Sequence, residues 1–278
     1  MDNQPVVSVC AVTYNHESYL AQCLDSLVMQ QTNFAFEVIV GEDCSTDSTR
    51  KILREYDQKY PGIIKPIYHQ RNVGAARNLF EHCLLMAKGK YIAICDGDDY
   101  WTDHLKLQRQ VDFLEAHPGC VLSFHRVKQV DQHDRFLQQQ ETTTEIRFYS
   151  WEDILHISIP TLSVVFRNCI PHYPDEVYQA KSGDTFLFGM LSRYGGAADL
   201  GFIGAAYRVH AGGTFSGKSQ VEQYRQTIHT RKLMQRSPFF SREQLVELSK
   251  EIERRKKRYM KHFIKKGEFG NCLKILFT

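Results

Sequence analysis

Short apolar runs alternate with amphipathic stretches along the first hundred residues. "VVSVCAV" (residues 6–12) is apolar and β-branched almost throughout, as a strand covered on both faces must be. In the following "ESYLAQCLDSLVMQ", Tyr19, Leu20, Cys23, Leu24, Leu27 and Val28 fall on one face at helical spacing. "FEVIVG" (residues 36–41) predicts a second strand, and "CSTDSTRKILREYDQKY" offers Ser45 or Thr46 as the cap of a helix striped by Ile52, Leu53, Tyr56 and Tyr60. "IIKPIY" then predicts a third strand, "AARNLFEHCLLMAKG" a third helix and "KYIAIC" a fourth strand. Such β-α alternation with short joints implies an α/β fold whose mostly parallel sheet is covered by helices on both faces. Ligands of such sheets bind beyond the carboxyl ends of the strands.

The pattern changes in the second half. "CVLSFHRVKQV" and "TTTEIRFYS" read as strands around the polar loop "DQHDRFLQQQE", and "TLSVVFRN" as another strand. "GDTFLFGMLSRYG" has helical spacing, and "GFIGAAYRVH" predicts a final strand. From Ser216 onward the reading is helical. The expected organisation is therefore a catalytic unit over residues 1–215 and a basic helical C-terminal extension over 216–278.

Composition narrows the class. The chain has 278 residues, 42% hydrophobic and 24% charged, which suits one large α/β domain with an appendage. No apolar run approaches the ~18–20 residues a membrane span needs, and "MDNQPVVSVCAV" lacks the basic start of a signal peptide. The eight cysteines are scattered without a C-x-x-C pair, which predicts reduced core thiols in a cytoplasmic protein. A net charge of +3 gives no reason to expect nucleic acid as a partner.

Three chemistry-bearing clusters follow predicted strands: "TYNHE" (residues 13–17), "GEDCSTD" (41–47) and "DGDD" (96–99). In a parallel sheet they converge at one edge. There Tyr14 could stack on a flat base and Asp43 could accept a hydrogen bond from a ring N–H. Asp96 and Asp98 supply hard oxygens for Mg²⁺ or Mn²⁺, which would bridge to phosphates. Each piece also has a plainer reading: "DGDD" as a solvated turn, "STDST" as a helix cap, Tyr14 as a packed aromatic. Their succession after consecutive strands favours the shared site.

The order "VSVCAVTYNHESYLAQCLDSLVMQ", "FEVIVGEDCSTDST", "NVGAARN", "AKGKYIAICDGDDYW" resembles the inverting family 2 glycosyltransferases of GT-A fold, over roughly residues 6–215. The resemblance implies a Rossmann-like sheet and transfer of a sugar from a nucleotide diphosphate sugar, a UDP-sugar by preference, to an acceptor hydroxyl. It matches Tyr14 and Asp43 to nucleoside-contacting positions, with Thr13 and Asn15 beside them, Asp96 to the ribose side and Asp98 to the metal-ligating aspartate. "SGDTFLF" nominates Asp184, at the start of a helix, as catalytic base. "YRVHAGGTFSG" nominates His210 for the metal shell, Arg208 for the phosphates and Ser216 for a loop closing over the donor. Arg77 of "NVGAARN" is matched to the diphosphate, and Asp99 receives no role. A histidine among oxygens tilts the choice of ion toward Mn²⁺ over Mg²⁺.

Other classes fit less well. A nucleotidyltransferase making nucleotide sugars wants a glycine-rich loop with a basic residue after the first strand, where this chain has "TYNHESYL". A non-catalytic nucleotide-sugar-binding protein would need neither Asp184 nor His210. A glycoside hydrolase needs two opposed carboxylates and no metal. The expected acceptor is a glycan or lipid-linked glycan in surface polysaccharide or glycolipid assembly. The basic segment "KEIERRKKRYMKHFIKK" has two readings. In one, Leu245, Leu248 and Ile252 pack inward while residues 254–258 face water. In the other the protein is peripheral at the inner membrane face, with Tyr259, Met260, Phe263 and Ile264 dipping into lipid.

Overall fold

The computed structural model describes residues 4–278, and among them ten strands form a single mixed sheet. β1 (Val7–Thr13), β2 (Phe36–Glu42), β3 (Ile64–Tyr68) and β4 (Tyr91–Ile94) are the four strands expected in the first half. They lie in the order β3-β2-β1-β4 and pair in parallel, with Thr13 opposite Glu42 and Cys10 opposite Ile94. β5 (Tyr100–Trp101), β6 (Cys120–Asp131), β7 (Phe136–Gln139), β8 (Arg147–Tyr149), β9 (Val165–Arg167) and β10 (Gly196–Val209) complete the sheet. It continues from β4 through β9, β6 and β10 to β5, and β9 runs antiparallel to both β4 and β6.

β1 lies inside the sheet, and Val7, Val9, Cys10 and Ala11 have no exposed surface. The helix Leu20–Val28 lays Leu20, Cys23, Leu24 and Leu27 into the core around it. Each such leucine contributes about 1.5–3 kcal/mol by leaving water. The next helix, Thr49–Lys59, starts later than the Ser45 or Thr46 cap predicts. Those residues are held elsewhere: Ser45 N–H donates to Glu42 and Thr46 N–H to Asn15, while Asp47 accepts the Thr49 N–H at 2.9 Å.

The helix over residues 75–86 is π-helical through Asn78–Cys83. Asn78 is buried there, donates to the Gly41 carbonyl at 2.7 Å and meets His69 at 3.0 Å. A Cβ on Gly41 would lie 1.9 Å from the Asn78 amide oxygen, so the helix docks on the end of β2 only because residue 41 is glycine.

Three readings in the second half need correction. The polar loop "DQHDRFLQQQE" contains β7, an edge strand antiparallel to β6, although all four of its residues are exposed. "TTTEIRFYS" contributes only β8. "TLSVVFRN" opens with the 3₁₀ turn Thr161–Ser163, and only Val165–Arg167 is strand.

The chain divides into two compact units. The first holds residues 4–148, 159–169 and 196–208; the second holds 149–158, 170–195 and 209–278. The second is thus larger than the extension expected from residue 216. It includes the helix Gly183–Leu191, because the Ser182 N–H bonds Thr230 in the helix Gln220–Arg236 and Phe186 packs on Phe240. In the long helix Arg242–Lys265, Leu248, Ile252, Tyr259 and Phe263 face inward. Tyr259 and Phe263 therefore cannot dip into lipid, and Arg255 is buried instead of facing water. Arg255 joins Arg254 and His156 around the buried Glu251 carboxylate.

All eight cysteines are unpaired, five of them buried and three half-buried. No helix among the described residues is long and apolar enough to cross a membrane.

Within the first unit Lys106 is wholly buried, with Nζ 4.1 Å from the Trp101 ring centre. Burial lowers its pKa from 10.5 to about 7, against smaller upward pulls from Cys95 and Asp103. Between those two values the unfolded chain holds a proton that the folded chain lacks, so Lys106 makes stability rise with pH across that window. Urea unfolding at pH 7, 8 and 9 is expected to show Lys106→Met more stable than wild type at pH 7, with the gap narrowing as pH rises.

Candidate active site

The carboxyl ends of β1, β2 and β4 deliver their loops to one edge, and hydrogen bonds join those loops. Asp43 N–H donates to Thr13 O at 3.0 Å, and Gly97 N–H donates to Val12 O at 2.9 Å. Asn15, at φ 55°, donates its N–H to Ser45 and accepts from Thr46 through its side-chain oxygen. The His16 N–H bonds Thr49, the Glu17 N–H bonds Asp47, and Glu17 in turn accepts the Ser48 N–H. Beneath these loops the buried Glu42 carboxylate pairs with Arg50. Tyr14, in the loop after β1, is 43% exposed.

Asp43 is buried, and its carboxylate accepts two backbone N–H groups, from Val73 at 2.7 Å and Gly74 at 2.9 Å. Its own carbonyl accepts from the Asn72 side chain. Asp43 therefore shapes the loop over residues 72–74. Gly74, at φ +88°, opens the helix of Arg77. Arg77 is half exposed and pairs with Glu81 at 2.8 Å.

The acidic loop Asp96–Asp99 packs against the end of β1. A Cβ on Gly97 would lie 2.8 Å from both Cβ and Oγ1 of Thr13, and the loop can approach so closely because that position is glycine. Asp99 is buried, turns the loop through its N–H to Asp96 O, and accepts the Arg208 N–H at 2.7 Å. Burial, followed by the neighbouring Asp98 charge, holds the Asp99 carboxyl well above the usual range, against the lowering pull of the Arg208 N–H. Asp98 Oδ2 lies 3.8 Å from His16 Nε2.

Arg208, on β10, lies behind the loop, with its side chain 1% exposed. Its guanidinium donates to Asp98 O at 2.9 Å, Asp131 O at 3.3 Å and Gln22 Oε1 at 2.6 Å, and pairs with Asp134 at 2.9 Å. The rings of Tyr19 and Tyr100 flank it at 4.7 and 5.4 Å. Where the sequence suggested a phosphate contact, the structure gives Arg208 partners within the protein.

Asp184 and His210 belong to the second unit. Asp184 is half-buried in the first turn of Gly183–Leu191 and accepts the Thr185 N–H at 2.6 Å. It is one of the charges favouring protonation of the buried Arg231, whose pKa falls to about 9 chiefly through burial and then the nearby Arg255. His210 begins a tight glycine loop: its carbonyl accepts the Gly213 N–H at 3.1 Å, and a Cβ on Gly213 would lie 2.1 Å from Ser216 Oγ.

The acidic loop suits a hard divalent cation. Asp96 and Asp98 offer oxygen donors, and the Thr13 hydroxyl beside Gly97 is buried with no hydrogen-bond partner among the described residues. No group of three or more His, Cys, Asp or Glu side chains among the described residues could hold an ion by itself.

The sequence reading brought together Thr13, Asn15, Asp43, Asp96 and Asp98, and the structure joins their loops at one edge. It missed His16, Gln22, Tyr19 and Tyr100, which periodicity could mark only as loop or helix positions. Replacing Asp43 with Asn would set an amide N–H₂ against the Val73 or Gly74 N–H. Asp43→Asn is expected to lose about 1–3 kcal/mol in urea unfolding, whereas Asp47→Asn, at the exposed edge of the same loops, is expected to lose less.

Comparison with known proteins fits this geometry. The profile of Glycosyl transferase family 2 matches residues 8–173. An uncharacterized Mycobacterium tuberculosis protein is 36% identical over 214 residues, 74% of this chain and 60% of its own. A Bacillus subtilis protein named as a teichuronic acid biosynthesis glycosyltransferase, TuaG, is 35% identical over 147 residues, 51% of this chain and 56% of its own. The chain thus spans about 60% of the length of the first of these relatives. Among solved structures, S. aureus TarS 1–349 in complex with UDP aligns at TM-score 0.63 and 22% identity, over 89% of this chain and 71% of its own. The Pyrobaculum calidifontis mannosyltransferase PcManGT, in complex with GDP-Man and Mn²⁺, aligns at TM-score 0.61 and 15% identity, over 90% and 74%. The two structures share the fold, and the family profile covers more than half of the sequence: the chain belongs to the family 2 glycosyltransferases and has their GT-A fold.

Proposed function

We propose that the protein is a metal-dependent inverting glycosyltransferase that moves a sugar from a nucleotide diphosphate sugar, UDP-linked by preference, to an acceptor hydroxyl in surface polysaccharide or glycolipid assembly. The observation that carries this reading is the acidic loop Asp96–Asp99 set against the Thr13–Glu17 loop at the carboxyl edge of the parallel strands. Burial first, and then the neighbouring Asp98 charge, push the Asp99 carboxyl upward, and carboxylates gathered in such a place suit a cation carrying a diphosphate. The half-exposed Tyr14 supports stacking on the base. Thr13, Asn15 and the Asp43-shaped loop would form the nucleoside wall, with Arg77 toward the diphosphate and Asp96 toward the ribose. UDP in the TarS complex, Mn²⁺ and GDP-Man in the PcManGT complex, and the teichuronic acid name of TuaG support the donor, ion and pathway classes.

In this reading Asp184 takes the proton of the acceptor hydroxyl. The acceptor oxygen bonds to the anomeric carbon from the face opposite the diphosphate, the old carbon–oxygen bond breaks, and the configuration inverts. Its bond from the Thr185 N–H fixes the carboxylate's orientation for that task. Mn²⁺ or Mg²⁺, held by Asp98 and His210, would supply neutralisation of the charge on the departing diphosphate. Arg208 acts by holding the loop of Asp98 and Asp99 in place.

Two substitutions separate these roles. Asp184→Asn is expected to reduce transfer by at least about a thousandfold while leaving metal-dependent UDP binding near wild type. Turnover and calorimetry with UDP and Mn²⁺ measure the two, and near-normal turnover removes Asp184 as base. Asp98→Ala is expected to abolish the metal-dependent part of UDP affinity in the same calorimetry, and an undiminished metal effect removes it as ligand.

A further inference from the structure

The last helix of the second unit, Phe269–Leu276, has two unlike faces. Ile275 is fully buried against the cluster of Ile228, Ile252, Tyr259 and Phe263, and Cys272 bonds the Met260 carbonyl at 3.5 Å. Facing outward at helical spacing are Phe269, Leu273, Leu276 and Phe277, which are 66, 57, 46 and 83% exposed. Four large apolar side chains in one stripe form a patch that soluble surfaces rarely carry without a partner.

Basic side chains gather around the C-terminal end of the stripe. Lys256 donates to the Leu276 carbonyl at 3.2 Å, and Lys257 and Lys261 of the same helix are exposed. From Gln220–Arg236, Arg225 bonds the Thr278 hydroxyl and pairs with Glu222 at 3.4 Å, and Lys232 bonds the Thr278 main-chain oxygen. The cations crowd one another: burial first, then Lys256 and Arg236, lower the Lys232 pKa.

We propose that this ridge is a docking surface for an anionic lipid bilayer, with Phe269, Leu273, Leu276 and Phe277 entering the headgroup boundary and the flanking lysines and arginine meeting the lipid charge. The charge pattern favours lipid over a second copy of the chain, since two such ridges face to face would bring their basic borders together. Interfacial helices bind by this sum of buried apolar area and attraction to anionic headgroups. The proposal stands apart from the transfer reading, because none of these residues belongs to the candidate active site.

Sedimentation of the full chain with vesicles of phosphatidylcholine, with and without phosphatidylglycerol, tests it. Wild type is expected to partition onto the anionic vesicles and much less onto neutral ones, with binding weakened by salt. Phe269→Ser/Leu273→Ser/Phe277→Ser, checked for an unchanged circular dichroism spectrum and melting temperature, is expected to bind at least about tenfold more weakly. Lys256→Gln/Lys257→Gln/Lys261→Gln is expected to lose the preference for anionic lipid. Wild type that ignores both vesicle types, or a serine variant that binds as well as wild type, overturns the proposal. A wild-type dimer in light scattering that the serine substitutions dissolve also overturns it, by assigning the ridge to a second copy.

Discussion

One buried guanidinium organises the acidic edge of the sheet. Arg208 reaches from β10 to the carbonyl of Asp98, and its backbone N–H meets the Asp99 carboxylate, more than a hundred residues earlier in the chain. A charge so buried is tolerable only with its hydrogen bonds satisfied, and Gln22, Asp131 and Asp134 provide the remaining acceptors. The bond from the Arg208 N–H offsets part of the cost of packing Asp99 beside Asp98 in a place with little water. The acidic loop is thereby held from behind.

The same logic runs through the neighbouring loops. Asn15, Asp43, Ser45 and Asp47 use side-chain atoms to complete the hydrogen bonding of backbone that has left the sheet. Loops tied in this way keep their geometry while facing solvent, which is what a site assembled from strand ends requires. Glycine appears where a neighbouring side chain leaves no room for a Cβ: Gly41 under the Asn78 amide, and Gly97 against the Thr13 side chain.

Periodicity made the parallel half of the fold legible, because strands covered on both faces and helices with one apolar stripe leave strong local signals. It failed at β7, whose exposed Phe136–Gln139 carries no burial pattern and is a strand only through its pairing with β6. The second unit was undervalued for a related reason: residues 170–195 join it through contacts with helices far along the chain, which no local window contains. In the site, residue type and position after strands marked Asp43, Asp96 and Asp98. What the sequence could not reveal was partnership. Residue type and position mark Arg208 and Asp43 as ligand contacts, and the structure adds protein partners for both. In the tail, the spacing of Tyr259 and Phe263 marked an apolar face but not that it faces other helices.

The unpaired thiols have a use beyond packing. Cys10 and Cys95 sit in the central strand and at the end of its neighbour, and burial raises both thiols well above their ordinary pKa. Alkylation needs an accessible thiolate, so in the closed protein these two sulfurs are doubly shielded. Cys44, in the loop after β2, is only half-buried. The chain therefore carries a built-in set of chemical clocks: an alkylating reagent that modifies Cys44 quickly and the strand thiols slowly would time the breathing of the loops separately from that of the sheet.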